Sequence, residues 1–207
     1  MKILIFLLAT LSFVGCSTTT PHKFVAEPDK KWEQRKSEVS QIKDWSFDGR
    51  ISIVNGHESW LLNMQWQFNT GNYLLDLSGP FGTGHSQLRG SSEGVMLVDS
   101  DQNNFYAENP DRLLEEVTGV RMPVQSLLYW IRGMPDWNIK QQQEKIDAFG
   151  RLHEIQQAGW RVRFKKYAQV GSHELPEKIF IDGHDLKVKI FVEDWQLQAK
   201  QTAENKE

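Results

Sequence analysis

An apolar–polar alternation runs from Trp45 to Phe68, interrupted only around Asn55-Gly56, and limits the fold more than any other feature. Trp45, Phe47, Gly49, Ile51 and Ile53 fall on one side, with Ser46, Asp48, Arg50 and Ser52 on the other. Beyond Asn55-Gly56, the series Trp60, Leu62, Met64, Trp66 and Phe68 resumes against Asn63, Gln65 and Gln67. Neighbouring strand side chains point to opposite faces, so a period of two buries one face and wets the other. Asn-Gly tolerates the positive φ angles of a type I′ hairpin. Thr70-Gly71-Asn72 turns the chain again, and Tyr73, Leu75 and Leu77 continue the apolar side. Three consecutive antiparallel strands are predicted.

Further strands are expected at His85–Arg89, Gly94–Asp99 and Asn104–Ala107. The period then changes. Asn109 and Pro110 form a cap and first helical residue, Leu113, Leu114 and Val117 form a stripe, and Gly119 suits the position after the last turn. A second short helix starts near Pro123, carries Leu127, Leu128, Trp130 and Ile131, and stops at Gly133. Strands return at Arg151–Gln157, at Trp160–Tyr167 after Ala158-Gly159, around Ile179 and Ile181, and from Leu186 to Val192 after Gly183-His184-Asp185. An opening helix capped by Asp29 carries Trp32, Val39 and Ile42 to one side. The expected fold is mainly β (α+β), a large curved antiparallel sheet with the central helices against its concave face.

The N-terminus reads differently. Lys2 precedes the apolar run Ile3–Val14, which is shorter than the ~20 residues a membrane-crossing helix needs and has the layout of an export signal. Phe13-Val14-Gly15-Cys16 is similar to a bacterial lipobox, with Phe13 where Leu is usual, which makes Cys16 the lipidated first residue after cleavage. The alternative is an ordinary secretory signal with an incidental cysteine. As the one cysteine of the chain, Cys16 can form neither an internal disulfide nor a cysteine zinc site. Ser17 follows it instead of Asp, and in lipoproteins of the enterobacterial type this implies sorting to the outer membrane, facing the periplasm. The expected organisation is a signal at 1–15, a lipidated end and flexible tether at 16–28, one domain at 29–200 and a polar tail at 201–207.

With 24 basic and 27 acidic residues the net charge is -3, which argues against nucleic acid as a partner. None of His22, His57, His85, His153, His173 and His184 has metal-ligand spacing, so no metal is expected. Gly84-His85-Ser86-Gln87-Leu88 begins like a nucleophile elbow but ends in Leu88, outside a strand–turn–helix setting. Glu115 and Glu116 point in different directions on a helix. No catalytic residue is assigned. Arg161, Arg163 and Lys165 alternate on one strand, with Lys187 and Lys189 on another. They set out either a solvated face or a docking surface for an acidic carrier or lipid headgroups, alternatives that salt dependence separates.

Several stretches, in order, resemble the LolB family of outer-membrane lipoprotein receptors across essentially the whole chain. They are the Cys16 motif, the aromatic opening strands, Ser78-Gly79-Pro80-Phe81-Gly82, and Leu114 to Met134 with Thr118-Gly119, Met122-Pro123 and Trp130-Ile131-Arg132-Gly133-Met134-Pro135. Val188 to Trp195, with Asp194-Trp195, completes the set. The related carrier LolA shares the fold and lacks the anchor, so Cys16 favours the receptor. The resemblance implies an unclosed β-barrel with a helical lid over an apolar cavity. It implies cargo in the form of acylated lipoproteins, the periplasmic carrier LolA and outer-membrane lipid as partners, and a monomer. No cofactor is implied beyond the N-palmitoyl and S-diacylglycerol lipid on Cys16. The candidate cavity wall is Trp45, Phe47, Ile51, Trp60, Leu62, Met64, Trp66, Leu75 and Leu77, with Leu127, Leu128 and Ile131 from the lid. Periodicity cannot tell a filled core from a hollow one and by itself favours the filled core; the resemblance reverses that preference. Phe81, alone among glycines and Pro80, either tucks back as an anchor or stands exposed. In the family the matching loop, here Pro80, Phe81 and Gly82, presents an apolar residue, commonly Leu, to the membrane. A structural outer-membrane lipoprotein that binds another protein and no lipid is the competing function.

Overall fold

The computed structural model describes residues 27–197; Cys16, the segments before it and around it, and the 201–207 tail lie outside these described residues. Helix α1 spans Pro28–Ser40. Six strands follow: β1 (Asp44–Asn55), β2 (Glu58–Asn69), β3 (Asn72–Ser78), β4 (Ser86–Ser91), β5 (Gly94–Val98) and β6 (Asn104–Ala107). Helices α2 (Pro110–Thr118) and α3 (Val124–Trp130) interrupt the series. Strands β7 (Gln141–Ile146), β8 (Leu152–Gln157), β9 (Trp160–Val170), β10 (His173–Gly183) and β11 (Leu186–Leu197) complete it.

The strands form one antiparallel sheet in the order β6-β5-β4-β3-β2-β1-β11-β10-β9-β8-β7. Every adjacent pair except β1 with β11 is consecutive in sequence, and that pair closes the two halves at the centre with Ile51 opposite Ile190. Strands β6 and β7 are left as edges, so the barrel is unclosed, and α2 and α3 make the connection between them. A bulge at Asp48/Gly49 sharpens the sheet's twist there. Gly49 is required at that place: a Cβ would lie 2.3 Å from the Phe191 carbonyl oxygen.

Local chemistry explains most boundaries. The Asn109 side chain accepts from the N–H groups of Asp111 (2.9 Å) and Arg112 (3.0 Å), Pro110 occupies the first turn, and Gly119 closes α2 in the left-handed region at φ 70°. At the first hairpin Asn55 pairs with Glu58, so the loop residues are Gly56 and His57, and Gly56 (φ 59°) holds the positive φ. Positive φ at the first loop position alone is the type II′ requirement, which corrects the I′ expectation for Asn55-Gly56. The double-positive pattern appears instead at Thr70-Gly71, Ala158-Gly159 and His184-Asp185. Helix α1 starts two residues early, with Glu27 at the cap position, Pro28 in its first turn and no side-chain cap, so Asp29 is a first-turn acid and not the cap.

Strand β7 carries no apolar alternation and was not foreseen. Its pairing supplies what its composition lacks: Lys145 meets Glu154 of β8 at 2.8 Å, and Glu144 accepts from Trp32 Nε1 at 3.0 Å. A polar edge strand of this kind resists pairing with another chain. Strands β9 and β10 also extend beyond their apolar sections, to Val170 and from His173.

The inward residues of β1, β2 and β11 meet in an aromatic base. Trp45 lies 5.6 Å from Trp66, 5.8 Å from Trp195 and 5.5 Å from Phe68, and Phe47 lies 5.0 Å from Trp195. On the other half of the sheet, α1 buries Trp32 and Val39, and Arg35 bonds the Glu174 carbonyl.

Candidate functional site: an apolar cleft with an aromatic tip at its rim

Strands β1 to β5 are not filled to the same density as the aromatic base. Between them and α2 and α3 lies a cleft of about 620 Å³. Its wall includes Ile51, Trp60, Leu62, Met64, Leu75 and Leu77, and Leu127 reaches it from α3. The alternation of β1–β3 turns these side chains inward, since Ile51, Met64 and Leu75 are buried while Arg50, Gln65 and Leu61 face out.

The remaining candidates are elsewhere, for a packing reason. Trp45, Phe47 and Trp66 pack on one another, and Trp45 and Phe47 pack on Trp195, so that these three do not line the cleft. Ile131 is fully buried under α3. Leu128 turns to a second cleft, of about 520 Å³, at the Thr70-Gly71 end of the strands with Phe68, Tyr129, Arg132 and Trp137. The cavity assignment is therefore corrected for these five residues.

Sequence reasoning missed Ile53, Leu88 and Leu97 on the strands and Leu114, Val117, Val120, Met122 and Val124 on the lid side. The signal was present: Leu88 and Leu97 pair across β4 and β5, and Leu114 and Val117 belong to the α2 stripe. Lid position depends on polar contacts that the apolar pattern did not reveal. Gln157 at the end of β8 is wholly buried. Its Oε1 accepts from Trp130 Nε1 and from the Asp136 N–H, both at 3.0 Å, and its Nε2 donates to the carbonyls of Asp136 (2.9 Å) and Ile139 (3.1 Å). Ser126 on α3 donates to Asp136 Oδ2 at 2.8 Å. Helix α3 is thereby fastened to the sheet through a buried polar knot with its donors and acceptors matched. Asp111 joins the two helices by accepting the Gln125 N–H at 3.2 Å, and burial raises its carboxyl above the ordinary range.

The rim is polar and braced. Gly79, Thr83 and Gly84 border it on one side and Asp99 and Ser100 on the other. Asp99 accepts the N–H groups of Asp101 (2.8 Å) and Asn103 (2.9 Å), and bonding from Asn103 lowers its carboxyl pKa. Residues Pro80–Gly82 form a single 3₁₀ turn closed by Gly79 N–H to the Thr83 carbonyl at 2.6 Å. At its tip Phe81 is fully exposed, at 104%, and holds φ 62° and ψ 22°. Left-handed backbone costs a non-glycine residue about 1–2 kcal/mol, so the loop presents an aromatic ring to solvent at an energetic cost. The tucked-back alternative is not what the fold adopts.

Ser86 begins β4 and is not on a strand-to-helix turn, and neighbouring His85 bonds Asp76 at 2.5 Å. Among the described residues no group of three His, Cys, Asp or Glu is placed to hold a metal. No helix among them is long and apolar enough to cross a membrane. Arg161, Arg163, Lys165, Lys187 and Lys189 all project from the outer face, with Asp182 of β10 between the two groups.

Comparison with known proteins agrees with this architecture. The chain is 35% identical over 178 residues to the outer-membrane lipoprotein LolB of Pseudomonas aeruginosa strain PAO1, covering 85% of each chain. To the LolB of Halorhodospira halophila it is 32% identical over 178 residues, 86% of each. Among solved structures, a LolA superfamily protein from Nitrosomonas europaea superposes with a TM-score of 0.52 at 7% identity, over 84% of this chain and 95% of that one. A DUF1329 family protein from Desulfovibrio piger gives 0.50 at 7% identity, over 84% and 95%. The model of the family "Outer membrane lipoprotein LolB" matches residues 43–195, from the entry to β1 to the buried Trp195 of β11, and the chain belongs to that family.

Proposed function

We propose that this protein is the outer-membrane receptor that takes acylated lipoproteins from the periplasmic carrier LolA into its apolar cleft and releases them into the membrane on which it is anchored through Cys16. The observation that carries this reading is the cleft itself, about 620 Å³ and walled by aliphatic side chains from five strands and two helices. It falls within the volume range of ligand pockets. An acyl chain of about 16 carbons hides on the order of 12 kcal/mol of hydrocarbon from water at ~0.8 kcal/mol per CH₂, so a lipoprotein in aqueous transit needs such a shelter. Exchange between two shelters without nucleotide runs toward the higher affinity, and receptor binding is then tighter than carrier binding. Phe81, exposed beside the rim, is assigned to the membrane interface during release.

The test uses the form lacking residues 1–16, which retains every described residue. Mixed with a carrier already loaded with lipoprotein, it is expected to hold the cargo on pull-down. Cargo that stays on a competent carrier would overturn the reading in favour of a protein-binding scaffold. Phe81→Glu is expected to keep uptake and lose release into vesicles. Loss of uptake would remove Phe81 from the membrane role.

A further inference from the structure

The outer face of the sheet carries an organised surface that the cleft does not use. Strand pairing lines up three rows across it. One runs Leu61, Ser52, Lys189, Phe180, Arg163; the next Ser59, Val54, Lys187, Asp182, Arg161; the third Asn63, Arg50, Phe191, Lys178. Their inward neighbours, including Ile53, Ile181, Val188 and Val162, are buried, so these side chains point away from the core.

Two properties separate this face from an ordinary solvated one. Within and beside these three rows the carboxylates are engaged: Asp182 pairs with Arg163, Glu193 with Arg50 at 2.6 Å, and Glu154 with Lys145 at 2.8 Å, while Asp48 and Asp194 lie opposite each other beyond the third row. Arg161, Lys178, Lys187 and Lys189 make no ion pair among the described residues, so a cationic excess remains. Apolar side chains also lie among the cations. Phe180 and Phe191 meet edge to face at 6.4 Å, with Lys178 4.9 Å from the Phe191 ring and Lys189 5.6 Å from the Phe180 ring. Leu61 is 59% exposed and Val54 also faces out. The face is tied to the start of the rim loop, where Asn63, next outward on β2 after Leu61, donates to the Gly79 carbonyl at 3.4 Å.

We propose that this face, from Leu61 across Lys187 and Lys189 to Phe180 and Arg161, lies against a membrane and binds the phosphates of its anionic headgroups. The proposal rests on the receptor reading and adds the orientation in which the receptor works. Cations contact phosphate while neighbouring apolar side chains sink toward the acyl boundary, a combination suited to an interface and less suited to an acidic protein surface. Spacing supports one contiguous contact, since Lys189 is two strands from Leu61, about 10 Å at ~4.8 Å per strand.

The form lacking residues 1–16 is centrifuged with vesicles of phosphatidylcholine alone or with phosphatidylglycerol added. Binding is expected only with phosphatidylglycerol and is expected to disappear at high salt. Lys187→Gln with Lys189→Gln, both exposed, is expected to weaken it about thirtyfold, roughly fivefold per lysine, with unchanged circular dichroism and unchanged uptake of cargo from the carrier. Equal binding to both vesicle types, or no effect of the double variant, overturns the proposal. So does a double variant that still binds vesicles but no longer takes cargo, because the face would then belong to a protein partner. Wild-type protein that binds vesicles yet takes no cargo would defeat the receptor reading and leave the membrane face standing.

Discussion

Replacing Gln157 by Leu tests whether the buried knot holds the lid in place. Gln157 accepts from Trp130 Nε1 and the Asp136 N–H and donates to the carbonyls of Asp136 and Ile139, with bonds of 2.9–3.1 Å. Leucine matches its size but leaves two buried N–H groups without acceptors, at about 1–3 kcal/mol each. The more apolar side chain offsets about 1 kcal/mol of this, for a net loss of about 3 kcal/mol. Against a domain stability of about 5–15 kcal/mol this is a large fraction. Urea unfolding followed by tryptophan fluorescence should show a midpoint lower by about 1.5 M for a slope near 2 kcal/mol per M. In a Trp130→Phe background, which removes one stranded donor, the same change should cost about 2 kcal/mol less. Gln156→Leu, one residue away on the outward side, should lie within about 0.5 kcal/mol of wild type. A Gln157→Leu loss below about 1 kcal/mol, or a strictly additive cycle, would refute the reasoning.

Asn109→Ala removes the double-acceptor cap of α2 and should cost about 1 kcal/mol, read as a lower melting temperature; an unchanged value would show the cap to be redundant. Leu62→Trp should fill the cleft and exclude about two ligand CH₂ groups, weakening fatty-acid competition against a hydrophobic dye about tenfold, while Trp66→Phe, which does not line the cleft, should leave it unchanged. Phe81→Gly should raise stability by up to about 1 kcal/mol, because glycine accepts φ 62° and no buried surface is lost, yet it should abolish release into vesicles. Burial raises the Asp111 carboxyl in the folded state, so its contribution to stability is full below the ordinary aspartate value near ~3.9 and is lost as pH rises through the folded value. Asp111→Asn should remove that fall from a pH series of urea midpoints; parallel curves would refute it.

The strands were legible because their signal is local. From Trp45 to Leu77 each residue states its face, and the turns fall where positive φ is affordable, displaced by one position at Gly56. The α2 cap and terminator, Asn109 and Gly119, were readable for the same reason. What escaped depends on partners far along the chain. Gln141–Ile146 is a strand through pairing with β8, and Gln157 is a core residue because Trp130 and Asp136 come to it from 27 and 21 residues away. The division of inward residues into cleft wall and solid base was equally out of reach. Met64 and Trp66 share a face and a strand, but Trp66 meets Trp45 and Phe47 while Met64 meets open space.

That division has a physical logic. An unfilled apolar cleft forfeits the dispersion contacts and burial that a packed core would supply, so its stability must come from elsewhere in the same sheet. The aromatic base supplies rigidity through Trp45, Phe47, Trp66 and Trp195, and the Gln157 knot supplies it for the lid. With the surroundings fixed, the wall is free to be aliphatic and adaptable: Leu62, Met64, Leu75, Leu77 and Met122 have rotamers enough to follow chains of different shape. The same separation explains why strain is tolerated at Phe81. Its turn hangs from Gly79 and Thr83 outside the sheet, so the cost of a left-handed phenylalanine stays in the loop. A tight-packing substitution in the wall should therefore change what the cleft holds without altering the base, whereas one in the base should unfold both.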